Sequence, residues 1–204
     1  MLQIVSVRTD IQRRGLYAGQ RQLLIEFALS NIASSLSGVE GNTGEGQAYE
    51  PEELLLAVKD EAKRKGEVIC LTGGEPLLQI NELLPLLESM PLPLYLETNA
   101  TLPDRLPEIQ PYVSLFGLKY TPDYQKEFLE SLALLQKEET FVLLPIAKDT
   151  QLAAVESLAK LLSVIRRDLP VVIEPAAAVK NALALQTVAL RYLQNVRVVP
   201  ALRI

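Results

Sequence analysis

Three hydroxyls, Ser30, Ser34 and Ser37, stand at the spacing Ser-x-x-x-Ser-x-x-Ser within EFALSNIASSLSG. In an irregular segment such a set either solvates a loop or, joined by backbone amides, receives an anion. Further along, CLTGGEPLLQ closes an apolar run with Gly73, Gly74, Glu75 and Pro76. Consecutive glycines let a backbone come close to a ligand, and the Glu75 carboxylate suits an ammonium group. The same four residues also make a tight strand-to-helix connection, with Pro76 at the first helical position. Glu97, Thr98 and Asn99 at the end of LYLETNA suit a ribose or a substrate carboxylate. They equally suit a turn in which Thr and Asn bond their own backbone. Lys119 ends another apolar run and could meet a carboxylate or phosphate, or pair internally with Glu97 or Glu174. Cys70 sits inside an apolar stretch and reads as a small buried hydrophobe.

Two absences narrow the chemistry. The chain has no histidine, which removes imidazole bases, imidazole metal ligands and Ser-His-Asp triads. It has one cysteine, which removes an intrachain disulfide and any multi-thiolate metal site. No catalytic residue stands out from spacing alone, and no protein metal site is expected. A net charge of −5 with a pI near 5.0 argues against a nucleic-acid footprint. The short basic clusters Arg13-Arg14 and Lys63-Arg64-Lys65 read as solvated surface. No apolar run reaches the roughly 18–20 residues needed to span a bilayer, and MLQIVSVRTDIQ reads as a strand rather than a secretory leader. A cytoplasmic location is the expectation.

These groups need elements to position them. Apolar, β-rich runs recur as QLLIEFAL, EVICLTGGEP, LYLETNA, SLFGLKYTP, TFVLLPIAKD, PVVIEP and VRVVPAL. Helix-period segments lie between many of them: 52–65, 80–90 with Asn81 as N-cap, 124–137, 152–167, and a last one within 178–195. Strands that are apolar without alternation imply burial on both faces, as in a parallel sheet covered by helices. Strand–helix alternation predicts an α/β chain, a barrel or a doubly wound sheet. In a barrel, the polar residues above fall at the C-terminal rim of the strands. With 204 residues and no shift in composition, 1–204 reads as a single domain, and residues 34–51 read as one long loop.

Several segments carry a resemblance. TGGEPLLQ resembles the Gly-Gly-Glu-Pro motif of radical S-adenosylmethionine enzymes. YLETNATL resembles the Glu-Thr-Asn-Gly-Thr segment of the 7-carboxy-7-deazaguanine synthase and organic-radical activating branch. DIQRRGLYAGQRQLLIEFALSN, LFGLKYTP, VVIEP and VRVVPALRI are similar to further segments of that branch, in the same order along essentially the whole chain. The resemblance implies a partial (β/α) barrel of mostly parallel strands with outer helices. It also implies S-adenosylmethionine contact at Gly73, Gly74, Glu75, Pro76, Glu97, Thr98, Asn99 and Lys119.

The match departs from the family where the cofactor chemistry resides. The family's Cys-x-x-x-Cys-x-x-Cys falls on Ser30, Ser34 and Ser37, its Asp-Thr on Gly38-Val39, its Gly-Glu on Arg13-Arg14 and an arginine on Glu26. The terminal Gln-x-His-Lys is replaced by Ala201, Leu202, Arg203 and Ile204. Soft thiolates hold iron–sulfur clusters and hydroxyls do not replace them, so no cluster is expected. Three readings stay open: a pseudoenzyme that binds S-adenosylmethionine or a purine-like molecule, a structural partner pairing with itself or an active homologue, and a non-radical enzyme using rim carboxylates and Lys119.

Overall fold

The computed structural model describes residues 1–32, 45–175, 180–200 and 202. Ser34, Ser37, Gly38, Val39, Ala201, Arg203 and Ile204 therefore lie outside the described residues. Among the described residues nine strands form one open sheet: β1 Leu2–Ile11, β2 Arg21–Phe27, β3 Gln47–Tyr49, β4 Ile69–Gly73, β5 Leu94–Thr98, β6 Val113–Lys119, β7 Thr140–Ile146, β8 Val171–Pro175 and β9 Val196–Val198. Their order is β3-β1-β2-β4-β5-β6-β7-β8-β9. β1 runs antiparallel to β2 and β3, and every other pairing is parallel. With β3 and β9 at the edges among the described residues, this is a partial barrel, as the resemblance implied.

The helices are α1 Pro51–Glu61, α2 Ile80–Leu87, α3 Leu106–Ile109, α4 Gln125–Leu134, α5 Leu152–Ile165 and α6 Ala182–Ala189. Two expectations need correction. The stretch read as loop to residue 51 contains β3, which pairs Gln47–Tyr49 with Ile4–Leu2. Asn81 does not cap α2, because a 3-10 turn, Pro76–Gln79, feeds the helix directly and Glu75 caps that turn from one residue before it. Asn81 instead accepts a hydrogen bond from Arg105 Nη2 at 2.7 Å.

The strands lack alternation because both faces are covered, by different things. Leu23, Ile25, Ile69, Leu71, Leu96, Phe116, Leu118, Val142 and Ile173 pack outward with helix residues such as Leu83, Phe128, Leu158 and Leu185. On the concave face Leu24, Cys70, Tyr95, Leu115, Phe141, Leu143 and Val172 form a second cluster. Among the described residues no helix packs on this cluster. Leu16 and Tyr17, from the hairpin loop joining β1 to β2, pack onto it. The Tyr17 ring lies 6.5 Å from Tyr95 and 6.2 Å from Phe141, distances at which tilted and edge-on aromatic pairs attract. Gly15 lets the loop sit this low: it has φ +74, and a Cβ there would stand 3.2 Å from Leu143 Cδ2. Cross-loop bonds from Gln12 N to Gln20 O and from Gly19 N to Gln12 O, both 2.8 Å, hold the hairpin closed.

Candidate functional site: two polar clusters at the strand ends

One step toward the C-terminal ends from that apolar floor, the concave face turns polar. Glu26, Thr72, Glu97, Lys119 and Glu174 follow Leu24, Cys70, Tyr95, Gly117 and Val172 by two residues on their own strands, so strand alternation puts them on the same face. Glu97 is 8% exposed. Its Oε1 accepts from Tyr95 Oη at 2.6 Å and Gln12 Nε2 at 3.1 Å, and its Oε2 accepts from Thr72 Oγ1 at 2.6 Å. Arg14 Nε approaches the same carboxylate to 3.8 Å. Glu174 accepts from the Gly15 backbone N–H at 2.8 Å. Burial pushes the Glu174 carboxyl above the ordinary carboxylate range, and the nearby Arg14 charge partly offsets this.

Arg14 is the residue the sequence misplaced. Its neighbour Arg13 has a side chain 51% exposed, as a solvated basic pair predicts, but Arg14 is 23% exposed and reaches into the acidic ring. The reason is tertiary: the hairpin tip folds into the concavity rather than out to water. The following Gly-Leu-Tyr, a flexible residue before two apolar ones, was the available signal. Glu26, where the family pattern has arginine, is matched by Arg8 on β1 and by the Ser6 hydroxyl. We expect Arg14→Met to lower stability by about 2 kcal/mol at pH 8, because a mostly buried carboxylate loses its counter-charge. Glu174 then holds its proton to still higher pH than before. The deficit should shrink as pH falls toward 5, which thermal melts at the two pH values would show.

Lys119 closes β6 on this face but, among the described residues, pairs with no carboxylate. Arg14 has taken Glu97, and Gly15 has taken a Glu174 oxygen. The expected internal ion pair of Lys119 is replaced by this arrangement. Burial and the Arg14 charge lower the Lys119 ammonium to about 8, against the opposing pull of Glu174 and Glu97. Cys70, fully buried below the ring, has its thiol pushed well up by desolvation and the Glu97 charge. It is inert, as the sequence suggested.

The other predicted residues form a separate cluster behind the sheet. Glu75 is fully buried. Its Oε1 accepts from Leu77 N at 3.1 Å, its Oε2 from Asn99 N at 2.8 Å, and Thr98 Oγ1 lies 2.9 Å from both oxygens. Burial raises this carboxyl to about 7, against the opposing pull of the three donors. Asn99 then ties in the chain leaving β2: its Nδ2 donates to Asn31 Oδ1 at 2.8 Å, and Asn31 Nδ2 donates to Thr101 Oγ1 at 2.7 Å. Ala100 holds φ +57, the left-handed conformation suited to the glycine of the resembled pattern. Ser30 remains exposed, its hydroxyl donating to Ile32 O.

Gly73 and Gly74 bridge the two clusters. Gly74 N donates to Phe27 O at 2.7 Å and Glu75 N to Leu29 O at 2.6 Å. Gly73 is exposed at the rim and Gly74 half-exposed, whereas Glu75 and Pro76 are buried. At the strand ends the Gly73 backbone is exposed and Lys119 half-buried, while the Glu75 carboxylate faces inward. Among the described residues, no group of three or more Cys, Asp or Glu is arranged to hold a metal, and no helix is long and apolar enough to cross a membrane.

No family model matches the chain. It is 24% identical to a 7-carboxy-7-deazaguanine synthase of Geobacter sulfurreducens, over 97% of this chain and 94% of that protein. It is 32% identical to a 7-carboxy-7-deazaguanine synthase of Methanothermobacter thermautotrophicus, over 55% of this chain and 47% of that one. Among solved structures, Streptococcus suis SuiB bound to S-adenosylmethionine superposes with a TM-score of 0.54 at 13% identity, covering 75% of this chain and 42% of that chain. The chain is thus similar to 7-carboxy-7-deazaguanine synthases along nearly its whole length, in keeping with the resemblance of its segments to the radical S-adenosylmethionine superfamily, and it shares its fold with SuiB.

Proposed function

We propose that this chain is a member of the superfamily without a [4Fe–4S] cluster, a pseudoenzyme that binds S-adenosylmethionine or a purine-like molecule as a sensor or regulator. The observation that carries the reading is the donor set. A cluster needs thiolates, and the sequence offers hydroxyls at Ser30, Ser34 and Ser37 with Cys70 as its only thiol. Cys70 is buried beneath the concave ring. The residues present do not fit the cluster, so no radical step is derived. Retained binding is supported by the accessible Gly73-Gly74 backbone, whose carbonyls suit an ammonium, and by Lys119, whose charge suits a carboxylate. Glu97, Thr98 and Asn99 hold the rim in shape, and Glu75 and Pro76 hold the glycine turn. A cytoplasmic setting and a homodimer belong to the same proposal.

Calorimetric titration with S-adenosylmethionine tests it. Saturable heat with a Kd on the order of tens of micromolar is expected, weakened about fivefold in Lys119→Met. No heat at millimolar ligand overturns it. The structural-partner reading is favoured by exposed Val164 on α5 and Leu183 on α6, 87% and 73% accessible. Those two helices pack together. Sedimentation of the wild type beside Val164→Glu would detect self-association through that surface.

A further inference from the structure

The concave ring contains a lysine that the proposed regulatory role does not require to be chemically reactive. Lys119 follows Leu115 and Gly117 on the inward side of β6, and Gly117 keeps the space below it narrow: a Cβ there would stand 2.8 Å from Tyr95 Oη. The groups facing Lys119 are Arg14 from the hairpin loop, Glu97 from β5 and Glu174 from β8, while β7 offers apolar Phe141 and Leu143 on that face. This is an amine next to a second cation and beside Glu174, a carboxyl that burial helps to keep protonated, on the rim of a barrel. Desolvation and an adjacent cation are the two ways a protein turns lysine into a nucleophile.

We propose that Lys119 is a reactive-amine site that condenses with small uncharged aldehydes or ketones to form an imine. The neutral amine attacks the carbonyl carbon, forming the C–N bond as the C=O π bond breaks, and one nitrogen proton passes to the oxygen. Glu174 then protonates the hydroxyl, the C–O bond breaks and water leaves, and the last nitrogen proton returns to Glu174 as the C=N bond forms. One carbonyl compound and one amine thus give one imine and one water. The preference for an uncharged carbonyl follows from the ring: with Lys119 neutral, Glu26, Glu97 and Glu174 stand against Arg8 and Arg14, a balance that is at best neutral when Glu174 is protonated, so an anionic substrate is disfavoured. The lowered amine basicity supports the assignment. Roughly one molecule in ten carries a neutral Lys119 amine at pH 7, against roughly a few in ten thousand for an ordinary lysine.

The test is reductive trapping of the full chain with glycolaldehyde and sodium cyanoborohydride at pH 7, with peptide mapping of every lysine. The hydride adds to the imine carbon and leaves a stable secondary amine. Lys119 should be labelled at least about tenfold faster than Lys126, whose side chain is 82% exposed. The Lys119 rate itself should rise with pH to a plateau above about pH 8, while its advantage over Lys126 narrows as the ordinary lysine also loses its proton. It should fall in Arg14→Met, which restores basicity, and glyoxylate should label Lys119 more slowly than glycolaldehyde. Labelling of Lys119 no faster than Lys126 overturns the proposal, as does an equal rate in folded Arg14→Met. The measurement contains no S-adenosylmethionine, so it succeeds or fails independently of the titration above.

Discussion

Gly74→Ala is expected to destabilise the protein by about 3 kcal/mol or more, or to abolish folding. An added Cβ would stand 2.0 Å from Leu29 O and 2.6 Å from Leu29 C, both backbone atoms, and no side-chain rotation relieves such contacts. The neighbouring position is as constrained: Gly73 has φ +100, and its Cβ would meet Phe27 N and O at 2.6 Å. The glycine pair is therefore where the end of β4 passes against the chain leaving β2, whatever it also offers a ligand. For a chain of this size, 3 kcal/mol lowers Tm by roughly 6–12 °C. Gly19→Ala is the control, since Gly19 has φ +93 but nothing within 4 Å of its Cβ. It should cost about 1 kcal/mol, from backbone conformation alone. Equal losses in the two variants would show that close approach is not what the motif is for.

Glu75→Ala should cost about 3–4 kcal/mol. It leaves the buried N–H groups of Leu77 and Asn99 and the Thr98 hydroxyl without their acceptor, and opens a void beside them. Glu75→Gln keeps one acceptor oxygen and should cost about 1 kcal/mol at pH 8. The two variants differ most usefully in their pH behaviour. The folded chain holds the Glu75 proton up to about pH 7, whereas the unfolded chain releases it near 4.5. Between those values the folded state binds more protons, so this group's contribution to stability declines as pH rises and is lowest above 7. The decline amounts to about 3 kcal/mol, and Glu75→Gln, with no proton to lose, lacks it. The stability gap between wild type and Glu75→Gln should therefore be wide at pH 5 and narrow at pH 8. A gap of constant width would rule out this titration.

These two predictions reassign the clearest motif in the chain. TGGEP is legible as a strand-to-helix connection because Gly-Gly breaks regular structure and Pro76 suits a first helical turn. Its ligand role was inferred from the carboxylate beside the glycines. The structure divides that assignment: the glycine backbone reaches the rim, and the Glu75 carboxylate turns inward to serve Leu77, Thr98 and Asn99. Spacing along the chain does not say which side of the sheet a residue beyond the strand end will take.

The order of strands and helices, the mostly parallel sheet and the open barrel were legible because apolar runs, helical periodicity and family-like segments are properties of contiguous residues. The absence of a thiolate set was equally legible, since it is a matter of composition. Tertiary structure alone decided the contents of the concave face. Arg14, Gln12 and Tyr17 lie far in sequence from Glu97, Glu174 and Lys119, and they meet only because the β1–β2 hairpin folds into the barrel to cover Tyr95 and Phe141. An apolar surface of that size must be covered by something. Here the cover is a loop, and it brings an arginine down among buried carboxylates. That displaces Lys119 from its expected ion pair and leaves it a less basic amine at the rim.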